Sequence, residues 1–314
     1  MNKKMISDFQ EGENVTTPML VSNVINGVTT NGAPYMSITF SDQSGTIEGK
    51  LWDVKEEQAT MITNGKVLLV VCDVIKYKGN LQLKVHTVSA LDSSQYEIDD
   101  FVVTSEIPQQ VMRDTIQKTI NTIDNKILKA LVSEVMVEFD HDFFLYPAAS
   151  RIHHDFIGGL AEHVLGMLRL GNSIADQYPL IDRDLLLSGI IVHDIGKLFE
   201  LSGTIATEYT VEGKLLGHIS IMQAKLNAIA EKLGYGDSEE CTLLRHMILS
   251  HHGAYEYGSP VLPMIVEAEV LSMIDNIDAK LNTLGKALKD IKPGEFTPRM
   301  FALENRSFYK PVLK

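Results

Sequence analysis

The sequence has 314 residues, of which 45% are apolar and 22% are charged, and its formal net charge is −13. This length allows two domains with cores of their own, and the composition is that of an ordinary globular protein. No apolar run approaches the roughly 18 residues of a membrane span, and the acidic balance disfavours tight duplex-DNA binding through phosphate neutralisation.

The N-terminal stretch, MNKKMISDFQEGENV, contains no hydrophobic core of a secretory signal peptide. The chain has two cysteines, Cys72 and Cys241, which are far apart and offer no disulfide framework. Such cysteine usage is typical of a reducing compartment. We therefore expect a cytoplasmic protein that does not interact with a membrane.

Residues 14–90 alternate apolar and polar positions and are rich in β-branched and aromatic residues, which predicts strands. Turn signals separate the strands: NGAP, SDQSG, NG and KGN. A helical segment, DVKEEQATMI, falls between the third and fourth predicted strands. That is the usual position of the helix in an OB-fold. We expect residues 1–90 to form an all-β OB-fold barrel that binds nucleic acid.

Several side chains of this domain are candidates for contact with a single strand. Aromatic rings stack on bases with little regard to sequence, although aromatic residues in small barrels are more often part of the core. Residues 1–90 carry 8 lysines and 9 acidic residues, so phosphate binding there should be weak and salt-sensitive. The candidates are Tyr35, Phe40, Trp52 and Tyr77 for stacking, and Lys50 and Lys78, with Lys76 and Lys84, for phosphates.

Residues 91–107 form an acidic linker without lysine or arginine. From residue 108 to about residue 290 apolar residues recur every three to four positions, which predicts an all-α helical bundle. The last segment, residues 291–314, carries five basic residues against two acidic ones, together with four aromatic residues. This tail is expected to fold over the active site, to bind a neighbouring subunit or to pack on its own domain.

Histidine is unevenly distributed, because eight of the ten lie between His153 and His252. In SGIIVHDIGK, His193 and Asp194 end a strongly apolar helix, and Lys197 follows. In isolation this pair suits a helix cap or a salt bridge. Other predicted helices supply further imidazoles and a carboxylate, and such a cluster suits first-row divalent metals. These further residues are His163, His218, His251, His252 and Asp275.

The ordered pattern resembles the HD-domain metal-dependent phosphohydrolases, in particular their two-metal branch. The motifs HDIGK, GHISIM, SHHGAYEYGSP and MIDNIDA occur in family order over residues 160–280. The cyclic-dinucleotide phosphodiesterases have a similar helix and loop. Here Gly253 stands where those enzymes have glutamate, and GSP at 258–260 replaces their Gly-Tyr-Pro. These differences argue against cyclic-dinucleotide specificity.

An OB-like barrel followed by an HD domain, at this length and in this order, resembles the YhaM-type 3′–5′ exoribonucleases of Gram-positive bacteria. The resemblance covers essentially the whole chain. It implies manganese- or cobalt-type divalent ions (iron fits the same donors), a single-stranded RNA or DNA substrate, and release of nucleoside 5′-monophosphates from the 3′ end. By this resemblance one ion is held by His163, His193, Asp194 and Asp275, and a second by Asp194, His218 and His251 or His252.

Asp194 would then bridge the two ions, and Lys197 would neutralise charge on the scissile phosphate or assist the leaving oxygen. The alternative to this catalytic role is that Lys197 is an exposed lysine paired with Asp194 or Glu200. His246 and Arg245 are candidates for a phosphate contact or for support of a ligand. His154, beside His153, is a candidate for the entrance to the site or for a hydrogen bond within a loop.

Two other functions remain open at this point. The HD site would alternatively hydrolyse a small or cyclic nucleotide, with the barrel serving assembly or regulation. The chain would otherwise be a non-enzymatic single-strand-binding or replication-control protein, which the retention of every ligand disfavours. The apolar helices and the tail leave room for a homo-oligomer.

Overall fold

The structure, a computed structural model, describes residues 4–148, 156–205, 207–289 and 291–313, apart from the side chain of Asp99. The chain divides into two units, Met1–Thr104 and Ser105–Lys314. Among the described residues no helix is both long and apolar enough to cross a membrane.

The first unit is a closed β-barrel with strand order β1-β2-β3-β5-β4. β3 and β5 pair in parallel, and the other neighbours are antiparallel. The long β1 pairs with β4 through its first half and with β2 through its second half, and a bulge between Val21 and Asn23 lets it bend from one partner to the other. The elements are β1 (Asn14–Val28), β2 (Pro34–Asp42), β3 (Gly45–Trp52), α1 (Glu56–Met61), β4 (Val67–Tyr77) and β5 (Asn80–Ala90). The predicted OB-fold topology is confirmed.

Alternate residues of each strand fill the barrel, as the period of a β-strand requires. On β2, Met36, Ile38 and Phe40 point inward and are buried. The Phe40 ring lies so close to Gly49 on β3 that a Cβ at Gly49 would come within 2.8 Å of it. The expectation that Phe40 stacks on a base is therefore wrong, because its ring has no exposed surface and belongs to the core.

The second unit is built of helices around one apolar core. At its centre lies a helix whose residues from Leu185 to Val192 are all buried. The helices are α2 (Gln109–Thr122), α3 (Lys126–Phe143), α4 (Gly159–Gln177), α5 (Arg183–Val192), α6 (Lys197–Glu200), α7 (Val211–Leu233), α8 (Glu239–Ser250) and α9 (Val266–Lys289). The predicted class, a β-barrel followed by a helical HD-type bundle, is confirmed.

Two helical segments are interrupted. The apolar helix α5 ends at Val192, just before His193 and Asp194 as the sequence indicates, and a short helix begins at Lys197. α7 is interrupted at Gly217, whose φ of 72° lies in the left-handed region that suits glycine. Both interruptions fall beside predicted metal ligands, where a straight helix would point the side chains elsewhere.

The C-terminal tail forms bridges between Phe296 and Tyr309 and between Met300 and Arg306. The Lys310 ammonium donates hydrogen bonds to the carbonyl oxygens of Leu288 and Ile291, at 2.6 and 2.8 Å. A cation is favourable at the C-terminal end of a helix. These contacts attach the tail to the end of α9.

Replacing Phe40 by alanine should destabilise the barrel by about 3–5 kcal/mol, because it removes a fully buried ring and leaves a cavity. Trp52 is the only tryptophan of the sequence, so its fluorescence reports unfolding of the first unit in a urea titration. A loss of RNA affinity with a stability change below about 1 kcal/mol would contradict the assignment of Phe40 to the core.

Candidate metal centre

The predicted metal ligands converge inside the second unit, and we call this group of residues the histidine–aspartate centre. Its members come from separate helices, so the centre exists only when these helices are packed together. His252 and Asp275 are partly exposed, and the other members are buried. The members are His163 on α4, His193 and Asp194 after α5, His218 in α7, His251 and His252 after α8, and Asp275 on α9.

The ligand atoms form two neighbouring groups without a common member, and Asp194 forms a third group with one histidine from each, His193 and His251; within each group all ligand atoms lie within 4.8 Å of one another. Such spacing lets one cation contact every member of a group. The first ligand group is His163, His193 and Asp275, and the second ligand group is His218, His251 and His252.

Asp194 lies between the two groups and is only 2% exposed. Its Oδ2 is 3.3 Å from Nε2 of His193 in the first group. Its Oδ1 is 3.5 Å from Nε2 of His218 and 3.5 Å from Nε2 of His251 in the second group. One carboxylate oxygen therefore faces each group, as a carboxylate that bridges two cations would.

Backbone carbonyls hold three of the histidine rings. A neutral ring that donates from Nδ1 carries its lone pair on Nε2, which is the form that binds a metal. Nδ1 lies 2.9 Å from the carbonyl oxygen of Ile190 in His193, 2.8 Å from that of Ile248 in His251, and 2.7 Å from that of Tyr257 in His252. Each Nε2 is thereby free to face the centre.

Carboxylates hold the other two rings, and sequence analysis missed both of them. Nδ1 of His163 is 2.7 Å from Oδ2 of Asp278, and Nδ1 of His218 is 3.0 Å from Oε1 of Glu200. A carboxylate behind a metal-binding histidine fixes the ring and makes it a better donor. A signal was present, since Asp278 follows Asp275 by one helical turn and Glu200 follows Lys197 by the same spacing.

Several inward-facing atoms of the centre find no hydrogen-bond partner among the residues that the structure describes. A buried polar atom without a partner costs about 1–3 kcal/mol. Imidazole nitrogen and carboxylate oxygen are the donors that first-row divalent cations prefer, so a cation in each group would satisfy them, and the residues fit such ions. The atoms are Nε2 of His193, His218 and His251, and Oδ1 of Asp194.

The two carboxylates of the centre are held ionised. Burial alone would raise the pKa of Asp194, but Lys197 and His193 outweigh burial and lower it well below its usual range. Burial also works to raise the pKa of Asp275, and His163 outweighs it, so that this pKa too is lowered. Both side chains are thus ready to bind cations at neutral pH.

His163 in the first group and His252 in the second have pKa values shifted in opposite directions. Burial tends to lower the pKa of His163, but Asp275 and Asp278 raise it to about 9. In the second group, burial and the neighbouring His251 lower the pKa of His252 to about 4. In the metal-free protein the first group therefore attracts a proton, whereas His252 repels one.

Lys197 faces the centre rather than the solvent. Its side chain is buried, and its ammonium donates to Oδ2 of Asp194 at 2.6 Å. The alternative to a catalytic role predicts an exposed lysine paired with Asp194. The pairing is present, but the lysine is buried. The cation thus lies next to the oxygen that faces the first ligand group.

Two of the secondary candidates, His246 and Arg245, lie outside the two ligand groups. Nε2 of His246 accepts the backbone N–H of Met264 at 3.0 Å, so this ring supports the segment before α9. Arg245 is half-buried on α8, close to the thiol of Cys241. His154 lies outside the described residues, and its role stays a prediction.

The first unit carries an aromatic surface on β2 and β3. Tyr35 and Trp52 are partners across these strands, with ring centroids 5.1 Å apart. Trp52 is 49% exposed, and the Lys50 ammonium lies 5.7 Å from the centre of the Tyr35 ring. At the end of β4, Tyr77 is 54% exposed, with the Lys78 ammonium 5.4 Å from its ring. Exposed rings beside lysines are common on surfaces that bind single-stranded nucleic acid.

Comparison with known proteins identifies both units. Residues 21–91 match the family model of the OB-fold nucleic acid binding domain, and residues 160–280 match that of the HD domain. Three relatives that resemble the whole chain bear the name 3′–5′ exoribonuclease YhaM. They come from Bacillus subtilis strain 168 (48% identity, 98% of both chains), Bacillus pumilus strain SAFR-032 (47%, 98% of both chains) and Listeria monocytogenes serotype 4b strain F2365 (42%, 99% of this chain and 100% of the relative).

The metal-free protein should lose thermal stability as the pH is lowered from about 6.5 to about 4. The pKa of His252 is about 4 in the folded state and about 6.5 in the unfolded chain. The unfolded chain therefore binds more protons in this window, and acid favours unfolding. The pKa of His251 is lowered too and acts in the same direction. His163 acts oppositely, but only between about 6.5 and about 9.

Melting temperatures of chelator-treated protein over this pH range provide the measurement. His252→Gln should flatten the dependence, whereas His141→Gln should leave it unchanged, because the His141 side chain is 86% exposed. A melting temperature that is constant from pH 6.5 to about 4, or two variants that behave alike, would contradict the burial of His252 in its neutral form.

Proposed function

The chain belongs to the YhaM family of 3′–5′ exoribonucleases, and on that premise we propose how its histidine–aspartate centre removes nucleotides from the 3′ end of single-stranded RNA. The protein is a metal-dependent nuclease of the HD type. The observation that carries the mechanism is Asp194, buried with one oxygen toward each ligand group. Nucleoside 5′-monophosphates are the proposed products.

Two divalent ions are the proposed cofactors, one in each ligand group with Asp194 shared between them. Manganese suits the mixed imidazole and carboxylate donors, and cobalt and iron suit them as well. When bound, such a pair supplies an acidified water and neutralises charge on the phosphodiester. His163, His193 and Asp275 would hold the first ion, and His218, His251 and His252 the second.

The chain's own groups orient the reaction. The oxygen of water attacks the terminal phosphorus, and the bond from phosphorus to the 3′ oxygen breaks. The released nucleotide keeps the 5′-phosphate, and the shortened strand keeps a 3′-hydroxyl. Lys197, already beside Asp194 at 2.6 Å, is proposed to neutralise the phosphate or to donate a proton to the departing oxygen.

The aromatic surface of the first unit is proposed to hold the strand. Tyr35, Trp52 and Tyr77 would stack on bases, and Lys50 and Lys78 would contact phosphates. Stacking contributes about 1–3 kcal/mol per base and tolerates most sequences, which suits an enzyme that must move along its substrate. Stacking does not depend on the 2′-hydroxyl, so single-stranded DNA is proposed as a second ligand.

Self-association and a cytoplasmic location complete the proposal. Along α9, Met273, Ile277 and Leu281 recur at every fourth position and are 43–62% exposed, which favours a homo-oligomer. The two free cysteines are buried thiols, which is in keeping with a reducing compartment.

Asp194→Asn should abolish hydrolysis, because an amide cannot serve as the anionic ligand of both groups. Wild-type protein incubated with manganese and a single-stranded RNA should release nucleoside 5′-monophosphates, identified by mass spectrometry, whereas the variant should release none. The exposed Asp237 provides the matched control, Asp237→Asn, which should behave as wild type. Activity of Asp194→Asn within about tenfold of wild type, a difference of only about 1.4 kcal/mol, would refute the assignment.

Trp52→Ala should raise KM for a single-stranded RNA by roughly 5- to 150-fold, because one stacked base is lost, and should leave kcat within about threefold. Steady-state kinetics on one labelled RNA provide the measurement. Tyr178→Ala removes an equally exposed aromatic residue at the end of α4 and should change neither constant. A fall in kcat with unchanged KM in the Trp52 variant would rule out a role in strand binding.

A further inference from the structure

Glu200 makes three contacts with a single histidine of the second ligand group, His218. Its Oε1 lies 3.0 Å from Nδ1 of His218, and its Oε2 lies 3.1 Å from the same nitrogen. Oε1 also accepts the backbone N–H of His218 at 3.1 Å. One carboxylate thus holds both the ring and the main chain of a single proposed ligand.

The main-chain contact depends on the interruption of α7. At Gly217 the chain leaves helical geometry, with φ 72° and ψ 153°, and the helix resumes at His218. The first N–H groups of a helix have no partner within it. Glu200 accepts the backbone N–H of His218 and so caps the resumed helix. This contact fixes the position of the His218 backbone, from which the imidazole extends toward the centre.

Close packing fixes the position of Glu200 itself. A Cβ at Gly196 would lie 2.1 Å from the carbonyl oxygen of His218, and a Cβ at Gly213 would lie 2.3 Å from that of Glu200. Backbone therefore meets backbone at two points, and a side chain at either glycine would force α6 and α7 apart. Within this single turn, Lys197 is directed to Asp194 and Glu200 to His218.

The two ligand groups differ in the number of carboxylates among their members. The first group contains a carboxylate, Asp275, whereas the second consists of three imidazoles and has only the shared Asp194 as an anion. Of the imidazoles in the second group, His251 and His252 are held by neutral carbonyls. Among the described contacts, Glu200 therefore provides the one negative charge that is directed to this group alone.

We propose that Glu200 is a positioning residue that orients His218 and sets the affinity of the second ligand group for its ion. This inference rests on the two-ion centre of the proposed function. Loss of a carboxylate behind a metal-binding histidine typically weakens metal binding by 10- to 100-fold. The effect should be confined to one of the two ions.

The test is a manganese titration of chelator-treated full-length protein, in which electron paramagnetic resonance measures the free ion. Wild type should bind two equivalents. Glu200→Ala should bind the first equivalent unchanged and the second about 10- to 100-fold more weakly. Glu200→Gln should fall between, because the amide oxygen still accepts both hydrogen bonds but carries no charge. High manganese should restore most of the exonuclease activity of both variants, which a merely structural defect would not allow.

Two further variants make the test selective. Glu212→Gln removes an exposed glutamate from the first turn of α7 and should bind manganese as wild type does. Asp278→Asn alters the carboxylate behind His163 and should weaken binding of the manganese ion in the first ligand group. Should Glu200→Ala fail to fold, as judged by its melting temperature, Glu200→Gln decides the question.

Two equivalents in wild type with an unchanged second affinity in the folded Glu200 variants would overturn this inference and leave the proposed function standing. Equal weakening of both equivalents would overturn it as well, because the role would not be specific to His218. Fewer than two equivalents in wild type would remove the two-ion centre and this inference together.

Discussion

The helical unit depends on one constraint, which is that a carboxylate with almost no exposed surface must remain ionised. Burial of Asp194 opposes ionisation, and Lys197 and His193 outweigh it. A charge held in this way is costly unless it is surrounded by partners. The break after α5, the interruption of α7 and the end of α8 can each be understood as a means of directing a partner toward this carboxylate. The apolar character of α5 follows as well, since a helix buried from Leu185 to Val192 holds Asp194 rigidly.

The centre is asymmetric although its two halves have equal numbers of ligands. A carboxylate belongs to the first group, and imidazoles alone make up the second. The protein compensates behind the ligands, where Glu200 supports His218. The two positions are therefore expected to differ in how firmly they retain an ion, and the position that depends on a single turn of helix is the weaker one.

Much of this arrangement could be predicted from the sequence, because it depends on the spacing of neighbouring residues and on the order of short motifs along the chain. The alternation on β2 and β3 predicts the barrel, and the order of the histidine and aspartate motifs predicts which side chains meet in the histidine–aspartate centre. The same alternation groups Phe40 with Met36 and Ile38, so its burial could have been predicted too. The roles of Glu200 and Asp278 could be suspected from helical spacing but not assigned, because each depends on a histidine at least 18 residues away in the chain. The end of the apolar helix at His193 could be predicted, but the interruption of α7 at Gly217 could not, because it depends on the contact between the His218 backbone and Glu200.

Asp275 lies on α9, the last of the α-helices that the structure describes. The ribosome must therefore release this helix before the first ligand group can be completed. A partly synthesised chain already contains the barrel and most of the histidines, but it lacks the carboxylate that the first group owns. The first ligand group is consequently assembled only once α9 has been synthesised and has docked, and a chain that stops before α9 lacks one member of the histidine–aspartate centre.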